Sequence, residues 1–200
     1  MNRAKLTALL APAGIVLILD QITKYIIRTS PELQNKVLIE GWLRLYYTQN
    51  PGMAMGIDWL PTIVVSSVAI LAVTGILIYL LRSIETAKRG YLILMGMILG
   101  GAFGNITDRI FMGYVEGNGG ILEGHVVDFI YFSLQINDWT VFPYIFNVAD
   151  IGISVSIISL FVFSKKLMPE TAKEETSEES DKSEIEVLGE ERKINEIAEK

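Results

Sequence analysis

Four stretches of this chain, residues 6–27, 59–81, 90–112 and 142–164, are too long and too apolar for an ordinary soluble core. A helix rising about 1.5 Å per residue needs roughly 20 residues to cross a hydrocarbon layer about 30 Å thick, and each stretch has that length. The reading is an all-α integral membrane protein with four transmembrane helices. Arg3, Lys5 and Ala11-Pro-Ala13 also resemble the start and cleavage site of a secretory signal peptide. The apolar run before Ala11 is too short for that, and the hydrophobicity continues well past it.

Charge divides the chain. Of the net −6, residues 170–200 hold twelve acids and five bases, a net −7, which leaves +1 for the rest. A Glu-, Lys- and Ser-rich segment buries too little apolar surface to offset chain entropy. Two parts are therefore expected: a membrane domain over 1–166 and a disordered acidic tail over 167–200. Arg3 and Lys5 precede the first span, Arg82, Lys88 and Arg89 separate the second from the third, and Lys165 and Lys166 follow the fourth. Lysine and arginine mark cytoplasmic ends, so both termini are expected inside.

Between the first two spans, residues 37–47 are rich in β-branched and aromatic side chains, and Asn50-Pro-Gly52 supplies turn chemistry. A small extracytoplasmic β element is expected there. The second outer connection carries Gly117-Asn-Gly-Gly120, read as a surface loop or as a gate to a site.

Against this background four acids stand out: Asp20, Asp108, Asp128 and Asp150 lie in or beside apolar segments. An ionisable group near the centre of a membrane helix costs roughly 2.5–3.5 kcal/mol on insertion scales, so such residues usually line a cavity and carry function. The orientation above brings all four to the outer face. Asp20 and Lys24 are one turn apart and can neutralise each other. Asn105 can share a face with Asp108 and Arg109, which serve either in an ion pair, with each other or with another helix, or in holding a substrate. Gly96, Gly100 and Gly104, four apart, bring one helix face close to a neighbouring backbone.

Asn147 and Asp150 are three apart at the mouth of the last span, and Asp128 arrives at the same depth on the connection leading into it. Two close carboxylates cannot both ionise cheaply, so one keeps a proton and the pair offers an acid and a base together. Such a pair can activate water against a peptide carbonyl. With no cysteine and a single histidine, His125, thiol catalysis, disulfides and a zinc cluster are excluded as readings. No metal and no cofactor is expected.

Five blocks in order now resemble the lipoprotein signal peptidases, or signal peptidase II, aspartic endopeptidases of the bacterial cytoplasmic membrane. They are Asp20-Gln-Ile-Thr-Lys24, Asn50-Pro-Gly-Met-Ala-Met-Gly56, Gly100-Gly-Ala-Phe-Gly-Asn-Ile-Thr-Asp-Arg109, Gly124-His-Val-Val-Asp-Phe129 and Phe146-Asn-Val-Ala-Asp-Ile151. The resemblance implies that Asp128 and Asp150 form the catalytic dyad. It implies supporting places for Asn147, Asn105 and Asp108, and substrate contacts or local structure for Arg109, Asn50, Asp20 and Lys24. It further implies a membrane-anchored prolipoprotein substrate, cut on the amino side of a diacylglyceryl-modified cysteine near the outer face. The partners implied are that substrate and the bilayer, with no nucleic acid, for a monomeric enzyme.

Two departures are visible. Met53 and Met55 stand in a motif that is more usually Asn-x-Gly-Ala-Ala-Phe, and residues 114–123 lengthen the interval between Asp108 and Asp128. A small transporter that relays protons or cations through these carboxylates is the competing reading. A membrane scaffold is a third.

Overall fold

The structure is a computed structural model that describes residues 2–52, 60–117, 119–136 and 139–167. Of the expected acidic tail only Leu167 is among them, and Met53 and Met55 are not.

The apolar stretches form helices α1 (Arg3–Thr29), α2 (Thr62–Ser83), α3 (Arg89–Val115) and α4 (Val148–Val162), with a short α5 (Ser164–Leu167) after the last. Three of them, α1, α2 and α3, are long and apolar enough to cross a membrane. The fourth differs from expectation. Instead of running from residue 142, α4 begins at Val148 and has 15 residues, about 22 Å at 1.5 Å per residue. The reason is local: Pro143 precedes a strand, and Asn147 takes extended backbone angles and caps the helix.

α3 is the hub. It runs alongside α1, which covers one side, while α4 packs on another and α2 on a third. The close approach to α1 depends on missing side chains: a Cβ on Gly96 would lie 2.2 Å from the Leu9 carbonyl oxygen, and one on Gly100 2.3 Å from that of Ala13. Leu9, Leu80, Leu92 and Leu99 fill the apolar seam. At the far end, the Asn2 amide donates to Glu85 Oε1 at 2.9 Å and Lys88 Nζ to the Lys166 carbonyl at 3.0 Å, tying the helix ends together.

The other end is closed by an antiparallel sheet larger than the expected element. Its order is β1 (Asn35–Ile39), β2 (Leu43–Asn50), β3 (Val126–Phe132) and β6 (Ile145–Phe146), with β4 (Gln135–Ile136) and β5 (Trp139–Thr140) forming a separate hairpin. Only the first two strands come from the connection between α1 and α2. Val127 and Phe129 of β3 pack with Ile27 of α1, so Asp128 between them faces the other way, towards the start of α4. Phe132 and Phe146 stack 5.6 Å apart on the paired β3 and β6.

Candidate active site

β6 leads directly into α4 through Asn147, and this junction is where the site is assembled. The Asn147 side chain accepts the Asp150 amide at 3.0 Å, while Asp150 Oδ2 accepts the Asn147 amide at 3.1 Å. This is a reciprocal capping box that satisfies two backbone donors and fixes the Asp150 rotamer. The same Asn147 turns its Nδ2 to Asp128 Oδ1 at 2.6 Å. One residue thus holds both carboxylates.

Asp128 takes its second hydrogen bond from Asn50 Nδ2, at 3.0 Å to Oδ2. The strand register explains it: Asn50 pairs with Val126 and Thr48 with Asp128, so Asn50 and Asp128 are diagonal neighbours on one face. Asn50 Oδ1 accepts the Gly52 amide at 2.9 Å, which orients its Nδ2 towards Asp128. Burial pushes the Asp128 carboxyl up to about 6; the Asn50 and Asn147 hydrogen bonds oppose this, and the charge of Asp150 adds to it. Asp150 Oδ1 accepts Asn105 Nδ2 of α3 at 3.0 Å.

Beneath this pair lies an ionic brace. Lys24 Nζ contacts Asp20 Oδ2 at 2.9 Å, Asp108 Oδ2 at 2.7 Å and Asn105 Oδ1 at 2.9 Å, which uses all three ammonium hydrogens. With Asp20 at 0 % exposure, Asp108 at 1 % and Lys24 at 4 %, these charges are out of water and each needs its partners. Asp20 Oδ1 also accepts the Ala149 amide at 3.0 Å, and Asp108 Oδ2 accepts the Val127 amide at 3.1 Å. The brace therefore grips the strand bearing Asp128 and the helix bearing Asp150.

All nine residues singled out from sequence converge on this end of the bundle. Asp20 and Lys24 pair as their spacing allows, and Asp108 pairs with Lys24 rather than with its neighbour Arg109. Arg109 feels the charges of Asp128, Asp108 and Asp150, while its Nη1 is buried with no hydrogen-bond partner among the described residues and lies 2.5 Å from where a Cβ of Gly52 would be. Sequence reading missed Gln21, whose Nε2 donates to Asp108 Oδ1 at 3.0 Å and to the Gly104 carbonyl at 3.1 Å. Its only signal was its place between Asp20 and Lys24. A half-open cavity of about 210 Å³ lies on the α1 side of the brace, lined by Gln21, Lys24, Arg28 and Asp108 among others, and includes neither Asp128 nor Asp150.

Fold and site together define a helical membrane protein with a pair of carboxylates held at one end. Residues 13–166 match the family profile described as signal peptidase (SPase) II. The chain belongs to the signal peptidase II family, the aspartic peptidases that remove the signal peptides of prolipoproteins. It is 32 % identical over 157 residues to a lipoprotein signal peptidase of Chlorobium phaeobacteroides (strain BS1), covering 76 % of this chain and 91 % of that one. To the lipoprotein signal peptidase of Rhizorhabdus wittichii it is 37 % identical over 155 residues, 74 % and 80 % of the two chains. A solved structure described as a bacterial membrane enzyme, determined in meso at 1.9 Å, superposes with a TM-score of 0.60 at 26 % identity, covering 78 % of this chain and 91 % of that one. A second, at 2.3 Å, gives 0.58 at 28 % identity over 78 % and 86 %.

Proposed function

We propose that Asp128 and Asp150 are the catalytic dyad of an endopeptidase that cuts a diacylglyceryl-modified prolipoprotein on the amino side of its lipidated cysteine. The observation that carries this is Asn147: its side-chain Nδ2 donates to Asp128 while its backbone amide and side-chain Oδ1 lock Asp150. Burial favours the neutral form of Asp128, raised to about 6, and the scheme assigns the shared proton to it. Asp150 then acts as the base that takes a proton from water, and the hydroxide equivalent adds to the scissile carbonyl. Asp128 donates to the developing oxyanion, and return of a proton to the amine breaks the C–N bond. No metal, thiol or cofactor enters this scheme.

Asn105, Asp108, Asp20 and Lys24 act through the brace, keeping the carboxylates in register. Asn50 steadies Asp128, and Arg109 Nη1, buried with no hydrogen-bond partner among the described residues, is the donor left to meet a substrate carbonyl.

The membrane placement follows the charge pattern: both termini cytoplasmic, and the sheet and dyad at the outer face of the bacterial cytoplasmic membrane. In that placement α4 continues through α5 to make the fourth span, the membrane domain is 1–166, the acidic tail lies inside, and the enzyme works as a monomer. Asp128→Asn and Asp150→Asn, each inserted and folded, should abolish cleavage of a synthetic diacylglyceryl lipopeptide. Full activity in either variant rejects the dyad. Solute flux in vesicles that depends on Asp150, without cleavage, would favour the transporter instead.

A further inference from the structure

The segment that lengthens the interval between Asp108 and Asp128 is built onto the site's rim. After α3 ends, the Gly119 amide returns to the Gly113 carbonyl at 3.1 Å and the Gly124 amide to the Arg109 carbonyl at 3.0 Å. The return is so close that a Cβ on Gly124 would lie 2.2 Å from the Asp108 carbonyl oxygen. Glu123 Oε2 closes the turn by accepting the Gly120 amide at 2.7 Å. At its tip Leu122 has φ 69°, the only positive φ outside glycine among the described residues. A branched side chain holds that conformation only where its surroundings impose it.

This turn meets α2. Ser66, 0 % exposed, places its hydroxyl 2.8 Å from the Leu122 carbonyl oxygen and 2.8 Å from the Thr62 carbonyl of its own helix, so that its one proton is shared between the two acceptors. A serine or threonine in a membrane helix commonly bonds only the carbonyl one turn back, as Ser67, Thr74, Ser83 and Ser156 do here. Ser66 differs in having an acceptor from another segment. α2 otherwise buries a narrow line of residues seven apart, Ser66, Val73 and Leu80, so this polar contact sits at the sheet end of a thin seam. The neighbouring Val65 and the Arg109 guanidinium both approach Gly52, 3.1 and 2.5 Å from the position of its absent Cβ.

We propose that the Ser66 hydroxyl and the Leu122 carbonyl form a latch that fixes the first turn of α2 against the end of α3. Ser66 is then a positioning residue that holds Val65 and Arg109 about Gly52, whose amide orients Asn50 on Asp128, and so shapes the space beside the dyad that admits the residue before the lipidated cysteine. The inference rests on the peptidase reading above.

The test uses the full chain in detergent with two synthetic diacylglyceryl lipopeptides that differ only in the residue before the lipidated cysteine, one small and one bulky. Ser66→Ala should raise KM for the small-residue substrate about fivefold, the size of one net hydrogen bond. It should narrow the small-over-bulky preference by a similar factor and leave kcat within about twofold. Leu122→Pro, whose ring forbids a positive φ and turns the carbonyl away, should do the same. Leu122→Gly, which keeps that carbonyl in place, should preserve the preference. An unchanged preference in both Ser66→Ala and Leu122→Pro overturns the latch, as does an equal fall in kcat for both substrates, which would mark a purely structural contact. If Ser66→Ala fails to fold, Leu122→Pro, outside the bilayer, decides alone on the same criteria. If the unsubstituted chain cleaves neither peptide, the peptidase reading falls and this inference with it, a result separate from any effect of the substitutions.

Discussion

Replacing Asn50 by alanine should move the pH dependence of the enzyme upwards. Asn50 Nδ2 donates to Asp128 Oδ2 at 3.0 Å and thereby favours the ionised carboxylate. Burial works against that charge and holds Asp128 at about 6 rather than 3.8, a difference of about 3 kcal/mol. A hydrogen bond to a charged group contributes roughly 1.5–3 kcal/mol. Asn50 is half-buried, so water recovers part of the loss; about 1.4 kcal/mol remains, or roughly one pH unit. The assay is kcat/KM against pH for a diacylglyceryl lipopeptide, which reports the free enzyme. In the native enzyme the descending limb should begin near pH 6, where Asp128 loses the proton the mechanism requires, and in Asn50→Ala near pH 7. Stability supplies a second check with a fixed sign. A carboxyl raised above its unfolded value contributes stability that is complete below pH 3.8 and lost as pH rises through about 6. The variant loses more of it, so its thermal unfolding should fall further behind the native protein at pH 8 than at pH 4. Loss of the Gly52 contact to Asn50 adds an offset independent of pH. A limb that stays in place, or moves down, would refute the electrostatic account of Asp128.

Lys24→Met leaves Asp20 and Asp108 buried without their counter-charge and should cost about 3–5 kcal/mol, read as a large drop in unfolding temperature in detergent. Gly100→Val drives a side chain into the Ala13 carbonyl and should prevent α1 and α3 from packing, seen as loss of protease resistance, whereas Gly75→Ala, with nothing within 4 Å, should be silent. Gly52→Ala combines a φ of 128° with a clash against Arg109 Nη1, and should lower kcat/KM at least tenfold and cost about 1–3 kcal/mol of stability, read as a lower unfolding temperature.

The helices could be read from the chain because uncharged runs of membrane length have few other uses, and the carboxylates because hydrocarbon makes each of them costly. Other features were hidden for definable reasons. β3 begins with four buried residues, Val126 to Phe129, so it lacks the alternation that marks a strand with one wet face. The start of α4 was readable after all: Asn147 followed by Asp150 three residues later is a capping signature, outweighed in the reading by the apolar run before it. The second task of Asp20, capping the Ala149 amide, was not readable, since nothing local in the chain announces a partner 129 residues away. The same holds for Gln21 and Asp108.

That long-range cap has a consequence for biosynthesis. α1, α3 and β3 are translated first and carry Lys24 with both its carboxylates as well as Asp128, whereas Asn147 and Asp150 emerge only with the final helix. In the dyad proposed above, a fragment that ends before Asn147 carries Asp128 without Asp150 and should cleave nothing. On that reading the pair is completed only when the first turn of α4 docks onto Asp20, and a chain truncated before it should show no cleavage of a diacylglyceryl lipopeptide.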